Sequence, residues 1–166
     1  GLLELQKLAW AFAALSAKEP GLFRALALEA VLKRKGISPQ GLANLLWSFA
    51  KASEHSAELI LMVTEEVAIK RKAFKPQELS NLAWASAKMG QDCMLIFREV
   101  AEEAMSNLHE LKAQELSNVA WAFATLRAFE FVESVHSLAR EATRNMRDFK
   151  PQELSNMVWA FVKLSV

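Results

Sequence analysis

Asparagine recurs at Asn44, Asn81, Asn118 and Asn156, and each has a glutamine four residues before it: Gln40, Gln77, Gln114 and Gln152. A side-chain amide carries donors and an acceptor side by side. A column of amides suits two kinds of ligand. It can pair with nucleobase edges, or hold the main chain of an extended peptide. Four residues beyond each asparagine stands a small residue: Ser48, Ala85, Ala122 or Ala160. Seven beyond it stands Lys51, Lys88, Thr125 or Lys163. On a helix turning about 100° per residue, the sequence predicts these as one open stripe, its small residue letting a ligand close to the helix. Asparagine could equally bond the next repeat and tile an array. An unvarying amide ladder does not discriminate bases, so base choice would fall to Lys51, Lys88, Thr125 and Lys163.

A second group is cationic. Lys33, Arg34 and Lys35 form one cluster; Lys70, Arg71, Lys72 and Lys75 another; Lys112 stands alone; Arg144, Arg147 and Lys150 form the last. They predict one basic edge beside the amides, able to serve as a phosphate rail. The plainer reading is cations at helix C-termini, favoured by the helix dipole. The acids Glu29, Glu65, Glu66, Glu102, Glu103 and Glu141 are expected to face solvent on the outer surface.

Chemistry of other kinds finds no residues. His55, His109 and His136 lack metal-ligand spacing. Glu65–Glu66 and Glu102–Glu103 are adjacent, and adjacent residues do not face each other on a helix. No phosphate-cradling glycine loop or nucleophile motif occurs. We therefore expect no catalysis, no cofactor and no bound metal. Cys93 is the single cysteine; a lone helical cysteine acts mostly as a small core residue.

The elements behind the stripe come from the tryptophans. Trp10, Trp47, Trp84, Trp121 and Trp159 fall 37 or 38 residues apart. Around them recur Gln40–Trp47, Gln77–Trp84, Gln114–Trp121 and Gln152–Trp159; Leu3–Trp10 is a degenerate copy. Each unit reads as two helices. Helix A starts at Pro39, Pro76 or Pro151, where proline suits a first turn; Ala113 takes that place once. Helix B is expected at 21–35, 56–72, 92–108 and 130–147, with breaks near 18–20, 53–56, 90–92 and 127–130. Leu42, Leu46 and Phe49, or Leu116, Ala120 and Phe123, share the side facing helix B. Ser117, Trp121 and Ala124 form one flank, Val119 and Leu126 the other, both towards neighbouring A helices. That flank assigns the tryptophans to the core between repeats rather than to base stacking.

The fold class follows: an all-α solenoid of helical hairpins, expected as a right-handed superhelix. Its repeats are 2–38, 39–75, 76–112 and 113–150, with a half repeat at 151–166, all one array and expected to be a segment of a longer one. Just over half of the residues are apolar, with no apolar run long enough to span a membrane. A net charge of +1 is low for a nucleic-acid binder.

The word Pro-Gln-Glu-Leu-Ser-Asn followed by Trp-Ala, as in Pro76–Ala85 and Pro151–Ala160, resembles the octotricopeptide repeat. It is also similar to the heptatricopeptide repeat. Ala113 for proline, Ser86 for phenylalanine and Lys7 for asparagine depart from the pattern. The resemblance implies single-stranded RNA as partner, an organellar transcript or ribosomal RNA, tracked at about one nucleotide per repeat. It implies a place in transcript stabilisation, processing or translation, in a mitochondrion or chloroplast. The alternative is a protein-binding scaffold or structural subunit of a large complex.

Overall fold

The computed structural model of the chain describes residues 1–15, 19–128 and 131–165. Helices A are α1 (Leu2–Ala14), α3 (Pro39–Ala52), α5 (Pro76–Met89), α7 (Ala113–Leu126) and α9 (Pro151–Leu164). Helices B are α2 (Pro20–Leu32), α4 (Ala57–Lys70), α6 (Met94–Ser106) and α8 (Val132–Arg144). The described residues contain no strand, and no described helix is long and apolar enough to cross a membrane. The breaks expected near 18–20 and 127–130 lie partly outside the described residues.

Helix A begins where local chemistry satisfies its first N–H groups. In α3, Ser38 Oγ accepts from the Gly41 main-chain N–H at 3.1 Å. In α5, α7 and α9 the arrangement is reversed. Glu78, Glu115 and Glu153 accept from the N–H of Lys75, Lys112 and Lys150 at 2.9, 2.7 and 2.8 Å. Ile37, Phe74, Leu111 and Phe149 precede these caps and are buried, at the spacing of a hydrophobic staple. Helices α3, α5, α7 and α9 close on a residue with positive φ: Ser53, Gly90, Arg127 and Ser165.

Helix B is shorter than the sequence suggested. Its last expected residues form a separate turn of 3₁₀ helix at Arg34–Gly36, Arg71–Ala73, Leu108–Glu110 and Met146–Asp148. The tighter turn brings the chain round into the next buried staple residue.

Neighbouring A helices pack along their whole length, and neighbouring B helices touch more sparsely. The array therefore curves with the A helices inside. Buried small residues permit the close approach: Ala43, Ser80 and Ser117, and Ser48, Ala85 and Ala122. Between the two layers lie Leu42, Leu46, Phe49, Leu79, Leu116 and Phe123, all fully buried. Each such side chain stabilises by roughly 1.5–3 kcal/mol.

Candidate nucleic-acid interface

On the inner face the four glutamines are exposed and the four asparagines half-buried. The small column is closed instead. Ser48, Ala85, Ala122 and Ala160 are fully buried, and Ser48 Oγ donates to the Asn44 carbonyl at 2.7 Å. Ser48 is thus no ligand contact; its column spaces the A helices, not the helix and a ligand. Angles explain the difference: from Gln40, Ser48 lies about 80° round the helix and Trp47 only about 20° the other way.

The tryptophans take the vacated place. Trp47, Trp84 and Trp121 are half-buried and Trp159 is 41% exposed, so the column belongs to the surface as much as to the core. Successive rings from Trp47 to Trp159 stack with centroids 6.1, 6.3 and 6.5 Å apart and planes 34°, 26° and 26° apart. That spacing is below the 8–10 Å usual between packed helix axes, as expected on the inside of a curve. Lys163 Nζ lies 5.9 Å from the Trp159 ring centroid, a cation–π distance. The inner face therefore reads Gln, Asn, Trp, Lys along each helix.

Its polar groups are largely unspent. Gln152 Nε2 donates to Asn156 Oδ1 at 3.1 Å. Among the described residues, Asn44, Asn81 and Asn118 make no side-chain hydrogen bond. The tiling reading of the asparagines thus lacks its bonds. Lys51 and Lys88 are exposed and unpaired, as are the cap lysines Lys75, Lys112 and Lys150. Thr125 departs from its column, since its Oγ1 is buried without a partner and is not offered to a ligand. Clefts separate successive amide pairs. One of about 150 Å³ is lined by Gln40, Asn44, Lys75, Gln77, Glu78 and Asn81. Another of about 320 Å³ is lined by Leu3, Gln6, Lys7, Trp10, Gln40 and Asn44.

The expected basic edge divides in two. Lys35, Lys72 and Arg147, like Lys75, Lys112 and Lys150, are exposed and unpaired among the described residues. Lys33, Arg34, Lys70, Arg71 and Arg144 are consumed by acids, most of them expected in solvent. Arg34 reaches into the next repeat, to Glu65 at 2.7 Å and Glu66 at 3.0 Å. Arg71 does the same, to Glu99 and Glu102 at 2.9 Å and Glu103 at 3.5 Å. Lys33 pairs with Glu29 and Arg144 with Glu141. Lys70 bonds Glu66 at 2.8 Å and the Ile37 carbonyl at 2.7 Å. Glu66 and Glu141 are correspondingly buried, not outward-facing. Sequence reasoning missed these ties. Their signal was the coincidence of Arg34 and Arg71 with an acid-rich turn one repeat on.

No group of three or more His, Cys, Asp or Glu among the described residues could hold a metal ion. The assembled face offers donors and positive charge, with no carboxylate in its four columns.

No curated protein matches the chain significantly. The profile of one family does, that of RESC6, RNA-editing substrate-binding complex 6 protein, over residues 4–166. This match overturns the resemblance to octotricopeptide and heptatricopeptide repeats. The chloroplast and ribosomal setting drawn from that resemblance loses its support with it. Matched from its fourth residue to its last, the chain belongs to the RESC6 family.

Proposed function

We propose that this chain is a binding module for single-stranded RNA, held along the inner face of helices A. One observation carries the reading: amide columns, unpartnered in α3, α5 and α7 among the described residues, lie between two columns of lysines that no described carboxylate pairs. Lys75, Lys112 and Lys150 stand at one end, Lys51, Lys88 and Lys163 at the other. Amides and lysines together suit a chain of acceptor-rich bases on a phosphate backbone. The near-neutral total is compatible with this, because Glu29, Glu65, Glu66, Glu99, Glu102, Glu103 and Glu141 pair with cations of the B side. The family description, naming RNA editing and substrate binding, points the same way.

The test is binding to short single-stranded RNA at two salt concentrations. Affinity should fall as salt rises, as counterion release requires. Lys51→Glu with Lys88→Glu should lower affinity at least about tenfold and reduce the salt slope by about one per lysine. Affinity indifferent to both would remove the reading.

A second reading has its own observation. Leu28, Leu32, Leu61 and Ile69 are 53–80% exposed on the first two B helices, where the later ones carry Arg98, Glu102, His136 and Arg140. An apolar outer patch suits a protein partner, and the family description names a complex. This scaffold reading predicts partner binding that survives nuclease and depends little on salt.

A further inference from the structure

We infer that the tryptophan column contacts RNA through the indole N–H edges of Trp47, Trp84 and Trp121, and not through stacking on their faces. The inference rests on the RNA-binding reading above and specifies which groups do the holding.

Both faces of Trp84 and Trp121, and one face of Trp47, are already used. From Trp47 to Trp159 each ring lies against the next at 6.1–6.5 Å between centroids, and Lys163 lies near the last ring. A base could stack between two of them only by forcing the column apart. The edges are different. Among the described half-buried and buried residues, the side-chain polar atoms sealed from solvent without a partner are those of Ser86, Ser117 and Thr125. The nitrogens of Trp47, Trp84 and Trp121 are not sealed, and none of them donates a hydrogen bond to a described residue. An indole N–H is a donor only. A half-buried donor that reaches the surface without a protein partner is bonded to water or to a ligand.

Position adds the second argument. Each indole stands between the asparagine of its own helix and the lysine or threonine one turn on: Asn81, Trp84, Lys88; Asn118, Trp121, Thr125. One repeat thus offers an amide, an indole N–H and, in most repeats, an ammonium along a single line. Two or three side chains per repeat is the usual endowment of helical-repeat RNA readers that take one base per repeat. The acceptors an indole would meet are phosphate oxygens, base carbonyls or ring nitrogens. Trp10 stands outside the stack and beside Lys7 in the 320 Å³ cleft, so the inference leaves it aside.

The experiment separates the N–H from the ring. β-(3-Benzothienyl)alanine keeps the bicyclic shape and replaces N–H by sulfur. It is placed at Trp84 and Trp121, and the protein is titrated with fluorescein-labelled, random-sequence, short single-stranded RNA at low salt. Trp84→Phe with Trp121→Phe serves as the genetically encoded companion. Melting temperatures establish that each variant is folded. The expected result is affinity lowered roughly two- to tenfold per indole, the range of one net hydrogen bond, with the melting temperature of the benzothienyl protein unchanged. RNA binding by wild type and benzothienyl protein with equal affinity overturns the N–H contact and leaves the RNA-binding reading standing. Failure of the wild-type protein to bind overturns both.

Discussion

Glu66 is buried, yet its carboxyl titrates below its ordinary value of 4.5. The Lys70 ammonium is the largest cause, followed by opposing desolvation and then the Arg34 guanidinium. A carboxyl depressed by folding contributes stability above its unfolded value and loses it as pH falls through the folded one. The protein should therefore lose this contribution only in acid, below about pH 4.5. Glu66→Gln should be less stable at neutral pH and flatten the acid limb, read from melting temperatures at pH 3 to 7. An unchanged acid limb would show that the network carries no such stability. Cys93 illustrates the opposite case. Burial, with Asp92 beside it, pushes its thiol up to about 12. Because the thiolate is the reactive form, native protein at pH 8 should resist alkylation that denatured protein undergoes at once. Spacing alone made the amide columns and the core role of Cys93 legible. The placing of the tryptophans between repeats was legible as well; their half-exposure was not, because one step round a helix separates a sealed residue from an open one, and packing distance decides which is sealed.

At the scale of elements, one irregular repeat shows how the A helices are fitted together. Gln6 is buried where other repeats carry Ala43, Ser80 or Ser117. Its neighbour α3 has Gly41 where the others have glutamate, and a Cβ there would stand 2.4 Å from Gln6 Nε2 and 2.9 Å from Ile37 Cγ2. The large residue and the missing one compensate across the interface. Losing that glutamate also loses the reciprocal cap, which explains why α3 alone among these helices is capped by serine, Ser38. Gly41→Glu should destabilise by about 1–3 kcal/mol through overpacking. Adding Gln6→Ser should recover most of that loss, as expected for residues in contact. Additive effects in chemical denaturation would disprove the compensation. The closing residues give a second case: Arg127 holds φ of 53°. Arg127→Gly should stabilise by roughly 0.5–1 kcal/mol, since glycine adopts this conformation freely. Proline and the cap residues announced where helix A starts. The end of helix B was overestimated because a 3₁₀ turn uses the same residue types as the last turn of an α-helix.

Across the whole array, stability is close to a sum of repeats and the interfaces between neighbours. From α3 to α9 the inner interfaces are alike, built from small residues and stacked tryptophans. The outer ones differ. Arg34 ties the first repeat to the second, and Arg71 the second to the third. One repeat on, the same place holds Leu108, and after it Met146. The acid that Arg34 and Arg71 bind is still present as Glu141, but it turns to its own helix, to Arg144 at 3.0 Å and to Asn145 at 3.0 Å. Among the described residues, arginine thus ties the outer side together over the first half of the array, and no arginine at the equivalent place does so over the second. Period and composition revealed the solenoid but not this asymmetry, since the cations are read as one edge until their partners are seen. Ion pairs near the surface weaken with salt, and apolar packing does not. Raising salt should therefore loosen the junction of the second and third repeats more than that of the third and fourth. Hydrogen exchange at low and high salt measures this directly. The protection of α4 and α6 should fall with salt, while that of α8 changes little. Arg71→Leu, which copies Leu108, should lower protection at low salt and abolish most of the salt dependence. If α4, α6 and α8 respond to salt equally in both proteins, the arginine ties do not hold the outer side together.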